Sequence, residues 1–184
     1  MAVIEQQAHG IVADRFRARD RDTPLAADGL ALRQSAARLL GFLRGLHAAG
    51  VPVRRENVLS SSGYSAERAH GVVLERFGTN PPTALFATDY VMTTAAYRAL
   101  LELRLHVPAE VSFVGFDDLE WTSLITPPLT VVSQPVRRMG QLAAERLLAR
   151  VAGDNSPATR ITPETQLLLR RSTTTPRPAT SHAN

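Results

Sequence analysis

Neither cysteine nor lysine occurs in this chain of 184 residues. Without cysteine there is no disulfide framework, no thiolate metal site and no thiol nucleophile, which fits a reducing compartment. Without lysine all 21 basic side chains are arginine, and only tyrosine and the amino terminus titrate between histidine and arginine. A formal net charge of +4 therefore drives the isoelectric point to about 10.5. The arginines are scattered singly or in pairs along the chain. Nucleic-acid contact would gather them on one face, beside aromatics or on a recognition helix, so the charge is not read as such a footprint. No apolar run approaches the roughly 20 residues that span a bilayer, and Met1-Ala-Val-Ile-Glu5 lacks the basic start and apolar core of a secretory signal. A cytoplasmic protein without a membrane partner is expected.

Catalytic signatures are missing as well. There is no Gly-x-Ser-x-Gly elbow, no Gly-x-Gly-x-x-Gly loop and, lysine being absent, no phosphate-binding Gly-x-x-x-x-Gly-Lys motif. The histidines at 9, 47, 70, 106 and 182 have neither i,i+4 spacing nor cysteine partners, so no zinc site is expected. Asp117 and Asp118 are adjacent at a strand end and point apart, which does not suit an acid/base pair. No cofactor is expected, and the chain is not read as an enzyme.

What is present is ordinary in bulk and informative in order. Hydrophobic residues make up 44% and charged residues 21%, as in a globular protein with one full core. Residues 1–22 read as a weakly structured lead-in, in which Gly10-Ile-Val-Ala-Asp14 is a possible short strand, and Leu25-Ala-Ala-Asp-Gly29 reads as a strand entering a turn. Ala36, Leu39, Leu40, Leu43 and Leu46 then recur at helical spacing within residues 31–49, and Gly50 stops that helix. Val58-Leu-Ser60 is a strand candidate. A helix follows over Ser65–Phe77, with Ala66, Ala69, Val73 and Phe77 on one side.

Turn chemistry at Gly78-Thr-Asn-Pro-Pro82 leads into an apolar strand, Thr83–Ala87, buried on both faces. Thr88 or Asp89 caps the next helix, which carries Met92, Ala95, Ala96, Ala99, Leu100 and Leu103 at the 3.6 period until Val107-Pro108 ends it. Val111–Phe116 is the next strand and completes a βαβ unit. Leu129–Val132 follows as a strand. Pro135 opens a helix to Val151 at the position that needs no N–H, and Gln166–Arg170 is a last strand. Ser172–Asn184, rich in Thr, Pro and Ser, reads as disordered. The fold class is α/β, with a mainly parallel sheet flanked by helices. Two strands that end in acidic residues place hydrogen-bonding side chains at the mouth of that sheet, where such folds bind ligands.

Several stretches in this order resemble the effector-binding half of the lactose-repressor/galactose-repressor (LacI/GalR) family of bacterial regulators. They are Pro82-Thr-Ala-Leu-Phe-Ala-Thr-Asp89, Val107-Pro-Ala-Glu-Val-Ser-Phe-Val-Gly-Phe-Asp-Asp118, Pro127-Pro-Leu-Thr130 with Gln134-Pro135, and Leu167-Leu-Leu-Arg-Arg-Ser-Thr173. The similarity runs from about Pro24 to Thr173. It implies a periplasmic-binding-protein-like C-terminal subdomain over 23–134 plus 164–172. A crossover helix at 135–153 would pack on an N-terminal subdomain, and a tail would follow at 173–184. The family's helix-turn-helix headpiece and most of its N-terminal subdomain have no counterpart here. A truncated chain is therefore expected, touching DNA only through a headpiece it lacks, forming a homodimer and taking a small sugar-, polyol- or nucleoside-like effector. A solute-binding protein for sugar transport and a dimerisation fragment that senses nothing are the alternatives.

Six residues follow from the resemblance as effector contacts. Arg38 matches an arginine whose planar fork suits a hydroxyl or carboxylate, against a solvated helix arginine. Tyr64 matches an aromatic that packs on the effector ring, against a surface turn tyrosine. Asp117 matches a carboxylate that accepts two hydroxyl bonds, against a local turn role, while Asp118 reads as a loop or capping residue. Thr88 stands where the family has an asparagine, so a hydroxyl replaces an amide and specificity is expected to differ. Gln134 lines the cleft near the crossover or bonds to backbone. Trp121 either walls the pocket or covers the core. Asp89 is favoured as a helix cap over a ligand contact. The apolar stripe of Val136, Met139, Gly140, Ala143, Leu147 and Val151 needs a cover, so self-association or instability is expected.

Overall fold

A computed structural model of the chain describes residues 2–6, 27–61, 65–79 and 81–175. The strand expected at Gly10–Asp14, Tyr64, and the tail beyond Thr175 lie outside them. The elements are β1 (Ala2–Gln6), α1 (Ala27–Ala48), a 3-10 turn (Arg55–Asn57), β2 (Val58–Ser61), α2 (Ala66–Gly78), β3 (Ala84–Ala87) and α3 (Tyr90–Glu102). They continue with β4 (Ser112–Phe116), α4 (Glu120–Leu124), β5 (Thr130–Ser133), α5 (Val136–Val151) and β6 (Gln166–Leu168).

One six-stranded sheet has the order β2-β1-β3-β4-β5-β6. Every neighbouring pair is parallel except β5 and β6, where Val132 faces Leu167 in antiparallel register. The α/β class with a mostly parallel, helix-flanked sheet is therefore as read from the sequence.

Two readings near the amino terminus change. Ala2–Gln6, inside the expected lead-in, forms a strand between β2 and β3 and pairs with both. Val3 and Ile4 suit such a strand, but a five-residue segment carries too little period to stand out. Ala27–Gly29, expected in a strand, instead begins α1, as the high helix propensity of the alanine- and leucine-rich run favours.

Side chains alternate across the sheet as the pleat requires. Leu85, Ala87, Phe113 and Val131 join Ala69, Val73 and Phe77 of α2 and Met92, Ala95, Ala96, Ala99 and Leu100 of α3 in the larger core cluster. Phe86 and Phe116 join Leu39 of α1 in the smaller one, with Phe42 stacked on Phe86 at 4.5 Å between ring centroids. Phe77 and Phe113 are almost wholly buried, and each such ring contributes about 1.5–3 kcal/mol to folding. Helices thus lie on opposite faces, α1 on one and α2 and α3 on the other.

A doubly wound sheet of this order changes direction between β1 and β3, and in such sheets the carboxyl ends of the strands at the switch point border the place where ligands bind. At the opposite edge Ser172 fastens the returning chain. Its hydroxyl donates to Phe113 O at 2.6 Å and accepts from Thr130 N at 2.7 Å.

Helix α5 stands apart, since none of its residues is buried. Its exposed apolar side chains run from Met139, 43% exposed, to Val151 at 78%. Among the described residues no helix is long and apolar enough to cross a membrane.

Candidate functional site

Four elements bring polar groups to the crevice edge. β3 ends at Ala87, and the next two residues, Thr88 and Asp89, are both buried. Asp89 is the N-cap of α3: its Oδ1 accepts from Val91 N at 2.8 Å and from Met92 N at 2.9 Å, covering two of the N–H groups that a helix start leaves open. The expectation of a capping aspartate holds in this geometry. Its other oxygen, Oδ2, and Thr88 Oγ1 are buried and have no hydrogen-bond partner among the described residues.

Arg38 reaches the same place from α1. Its Nη1 donates to Thr88 O at 2.9 Å, and its guanidinium carbon lies 4.0 Å from the centre of the Phe116 ring. A half-buried arginine held by a carbonyl and an aromatic face is pre-positioned rather than swinging in solvent.

Asp117 follows β4 with φ of 67°, in the left-handed region that aspartate tolerates better than most residues. Its N–H donates to Val132 O at 2.9 Å, which carries the turn across to β5. Gln134, just after β5, donates its Nε2 to Asp117 Oδ1 at 2.6 Å. One carboxylate oxygen of Asp117 is thus steadied by a neighbour.

Asp118 turns to a separate network. Arg170, just beyond β6, donates Nη2 to Asp118 Oδ1 at 2.6 Å and Nη1 to Thr122 Oγ1 at 3.0 Å. Asp118 therefore ties the loop after β4 to the returning chain, in keeping with its loop reading.

The burial of Asp89 pushes its carboxyl above the ordinary aspartate range. The two backbone N–H bonds and the Arg38 charge pull it down, and the Asp117 charge adds to the rise. Arg38 and Asp117 thus each lie within electrostatic reach of Asp89. Behind them Thr93 of α3 locks the strand ends together, its Oγ1 donating to Asp89 O at 2.7 Å and accepting from Phe116 N at 3.0 Å.

Of the six expected contacts, the structure brings Arg38, Thr88, Asp117 and Gln134 to one edge. Trp121 is half-buried against the larger core cluster and lies tilted on Tyr97, 5.5 Å between ring centroids, so it covers the core. Tyr64 is outside the described residues. Asp89 caps α3 as expected, while the burial of its second oxygen was not legible in the sequence. Among the described residues no cluster of three or more His, Cys, Asp or Glu side chains is placed to hold a metal ion. Among the described residues the arrangement offers acceptors, one fixed cation and no activated nucleophile, which suits binding better than chemistry.

Comparison with known proteins agrees with this geometry. Residues 27–173 match the Periplasmic binding protein-like domain family. The chain is 38% identical over 119 residues to a probable opine utilization operon repressor of Rhizobium rhizogenes, covering 65% of this chain and 60% of that protein. It is 32% identical over 174 residues to the HTH-type transcriptional repressor PurR of Proteus mirabilis, covering 92% of this chain and 51% of the repressor. Among solved structures, the transcriptional regulator CelR in complex with cellobiose is similar at a TM-score of 0.65 and 31% identity, over 75% of this chain and 43% of that one. The chain thus spans about half the length of these relatives.

Proposed function

Since the chain belongs to the periplasmic binding protein-like domain family, as the effector-binding domain of LacI/GalR-type transcriptional regulators, we propose that it senses a small sugar-like molecule at the carboxyl edge of β3, β4 and β5. The observation that carries the reading is that Arg38 with Thr88, and Asp117 with Gln134, lie along the carboxyl edge of β3, β4 and β5, next to the switch point of the sheet. Residues so far apart in sequence meet there with acceptors to spare, as a polyhydroxy guest requires. The cellobiose bound to CelR, a structural relative, supports a sugar as the first ligand to try.

In a complete regulator, effector binding at this edge shifts the relation between two subdomains and so the DNA-binding headpieces. The effector does this only if it binds the two arrangements with different affinity. A cytoplasmic homodimer is the assembly this reading requires, with DNA reached through a headpiece outside the matched domain.

The relatives are transcriptional repressors, and the site holds no catalytic constellation among the described residues. Titration calorimetry with a panel of mono- and disaccharides, polyols and nucleosides tests the proposal, with the Asp117→Asn variant as control. Saturable binding that the variant weakens by about tenfold or more is expected, since the carboxylate makes charge-assisted bonds. No binding across the panel, or equal binding by the variant, would overturn the assignment.

A further inference from the structure

The two faces of the sheet are covered unequally. Its six strands, about 4.8 Å apart, make a layer roughly 24 Å across, and a helix about 10 Å wide covers about two of them, so each face needs two helices or more. One face has α2 and α3, over Leu85, Phe113 and Val131. On the other, among the described residues, α1 alone supplies a helix, over Phe86 and Phe116. Val114 of β4 and Val132 of β5 are only partly buried at the margin of that cluster. Val132 faces Leu167 across the β5 and β6 pair, so the two side chains share this face, and Leu169, two residues on, points the same way. Leu168 between them turns to the larger cluster on the opposite face. Leu167 is 57% exposed and Leu169 74%. An apolar strip roughly one helix wide is therefore open over β5 and β6.

The same chain carries a helix that covers nothing. α5 has no buried residue, and Val136, Met139, Leu147 and Val151 recur on one side of it at helical spacing, all exposed. Its 16 residues extend about 24 Å, enough to lie across β5 and β6. It starts two residues after β5 ends, yet none of its side chains joins either core cluster. Cover for the strip and a seat for the helix are both present in a second copy.

We propose that two copies of this chain exchange α5, each laying Val136, Met139, Leu147 and Val151 on the other's Val132, Leu167 and Leu169. Burial of apolar side chains drives the pairing, and twofold symmetry makes the contact twice, toward the roughly 1,200–2,000 Å² that a stable pair buries. Two α5 stripes set against each other would leave both strips bare, whereas exchange covers both surfaces of both copies. The pairing is independent of what the crevice binds.

The test is sedimentation of the chain and of two variants, one altered on the strip (Leu167→Glu with Leu169→Glu) and one on the helix (Leu147→Glu with Val151→Glu). The parent is expected to dimerise. Each variant alone should be monomeric, with a dimer dissociation constant raised about tenfold or more and a melting temperature of the monomer unchanged, since the altered side chains are exposed. An equimolar mixture of the two should dimerise again, because the intact α5 of one finds the intact strip of the other and one of the two contacts re-forms. If glutamate unfolds the edge strand, threonine at 167 and 169 is a good strand former and gives the same readings.

A strip variant that dimerises like the parent would show that α5 pairs with α5 and would overturn the exchange. So would a mixture that stays monomeric, or a parent that never dimerises. A strip variant with a lower melting temperature and unchanged association would show that the strip is covered from within its own chain, which also overturns it.

Discussion

Asp117 joins a backbone requirement to a binding one. Its φ of 67° costs a β-carbon residue about 1–2 kcal/mol unless, like aspartate or asparagine, it can bond locally. Asp117→Ala should therefore lose both the ligand and about 1–2 kcal/mol of stability, whereas Asp117→Asn keeps an acceptor for Gln134 and should unfold within about 0.5 kcal/mol of the parent. Urea unfolding of the two variants checks this, and equal stability of the alanine variant would contradict it. Asp89 makes a pH prediction. Its carboxyl is raised, first by burial, so the folded chain holds that proton more tightly than the unfolded chain does. The resulting stability is complete below the ordinary aspartate value of about 3.9 and is lost as pH rises through the raised folded value. Asp89→Asn has no proton to lose. Relative to the parent it should gain stability as pH climbs from about 4 toward 7, read by denaturant titration at each pH, and parallel curves would count against a raised carboxyl.

Among the elements, α3 depends on a single absent side chain. A β-carbon on Gly115 would lie 2.6 Å from Thr93 Cγ2 and 3.1 Å from Leu129 Cδ2, so only glycine lets α3 approach β4 closely enough for Thr93 to bond both Asp89 O and Phe116 N. Gly115→Ala should cost about 1–3 kcal/mol and, by shifting Thr93, weaken ligand binding at the edge. Thermal unfolding together with calorimetry reads the two effects. At the far edge, Ser172→Ala would leave Thr130 N without its partner in a buried place, a loss of about 1–3 kcal/mol with ligand affinity unchanged. The periodic helices were plain in the sequence because Ala69, Val73 and Phe77, or Met92, Ala96 and Leu100, repeat on one face. Glu120–Leu124 was not, since one and a half turns hold too few residues to show a period.

For the whole molecule, α5 is the open question of packing. Val136, Leu147, Leu148 and Val151 are each more than 60% exposed, and the relatives extend over about twice the length matched here. An uncovered apolar face of this kind favours association, so the chain by itself should self-associate with rising concentration in sedimentation experiments. Replacing Leu147, Leu148 and Val151 by glutamate should suppress this while changing the unfolding free energy by no more than about 0.5 kcal/mol, because those side chains are mostly exposed. A parent chain that stays monomeric at all concentrations would show that the stripe is inert.

The sequence by itself determined the α/β class, the βαβ unit from β3 to β4 and the acidic ends of its strands, because period, turn residues and capping are local and survive in one dimension. Tertiary structure decided the rest. That Ala2–Gln6 is an inner strand depends on β2 and β3 flanking it. That Trp121 belongs to the core depends on Tyr97 lying beneath it. That Asp89 Oδ2 and Thr88 Oγ1 are bare depends on what surrounds them in space. A side chain's identity shows which bonds it can make, but whether a bond is left unmade depends on neighbours that the chain brings close only by folding.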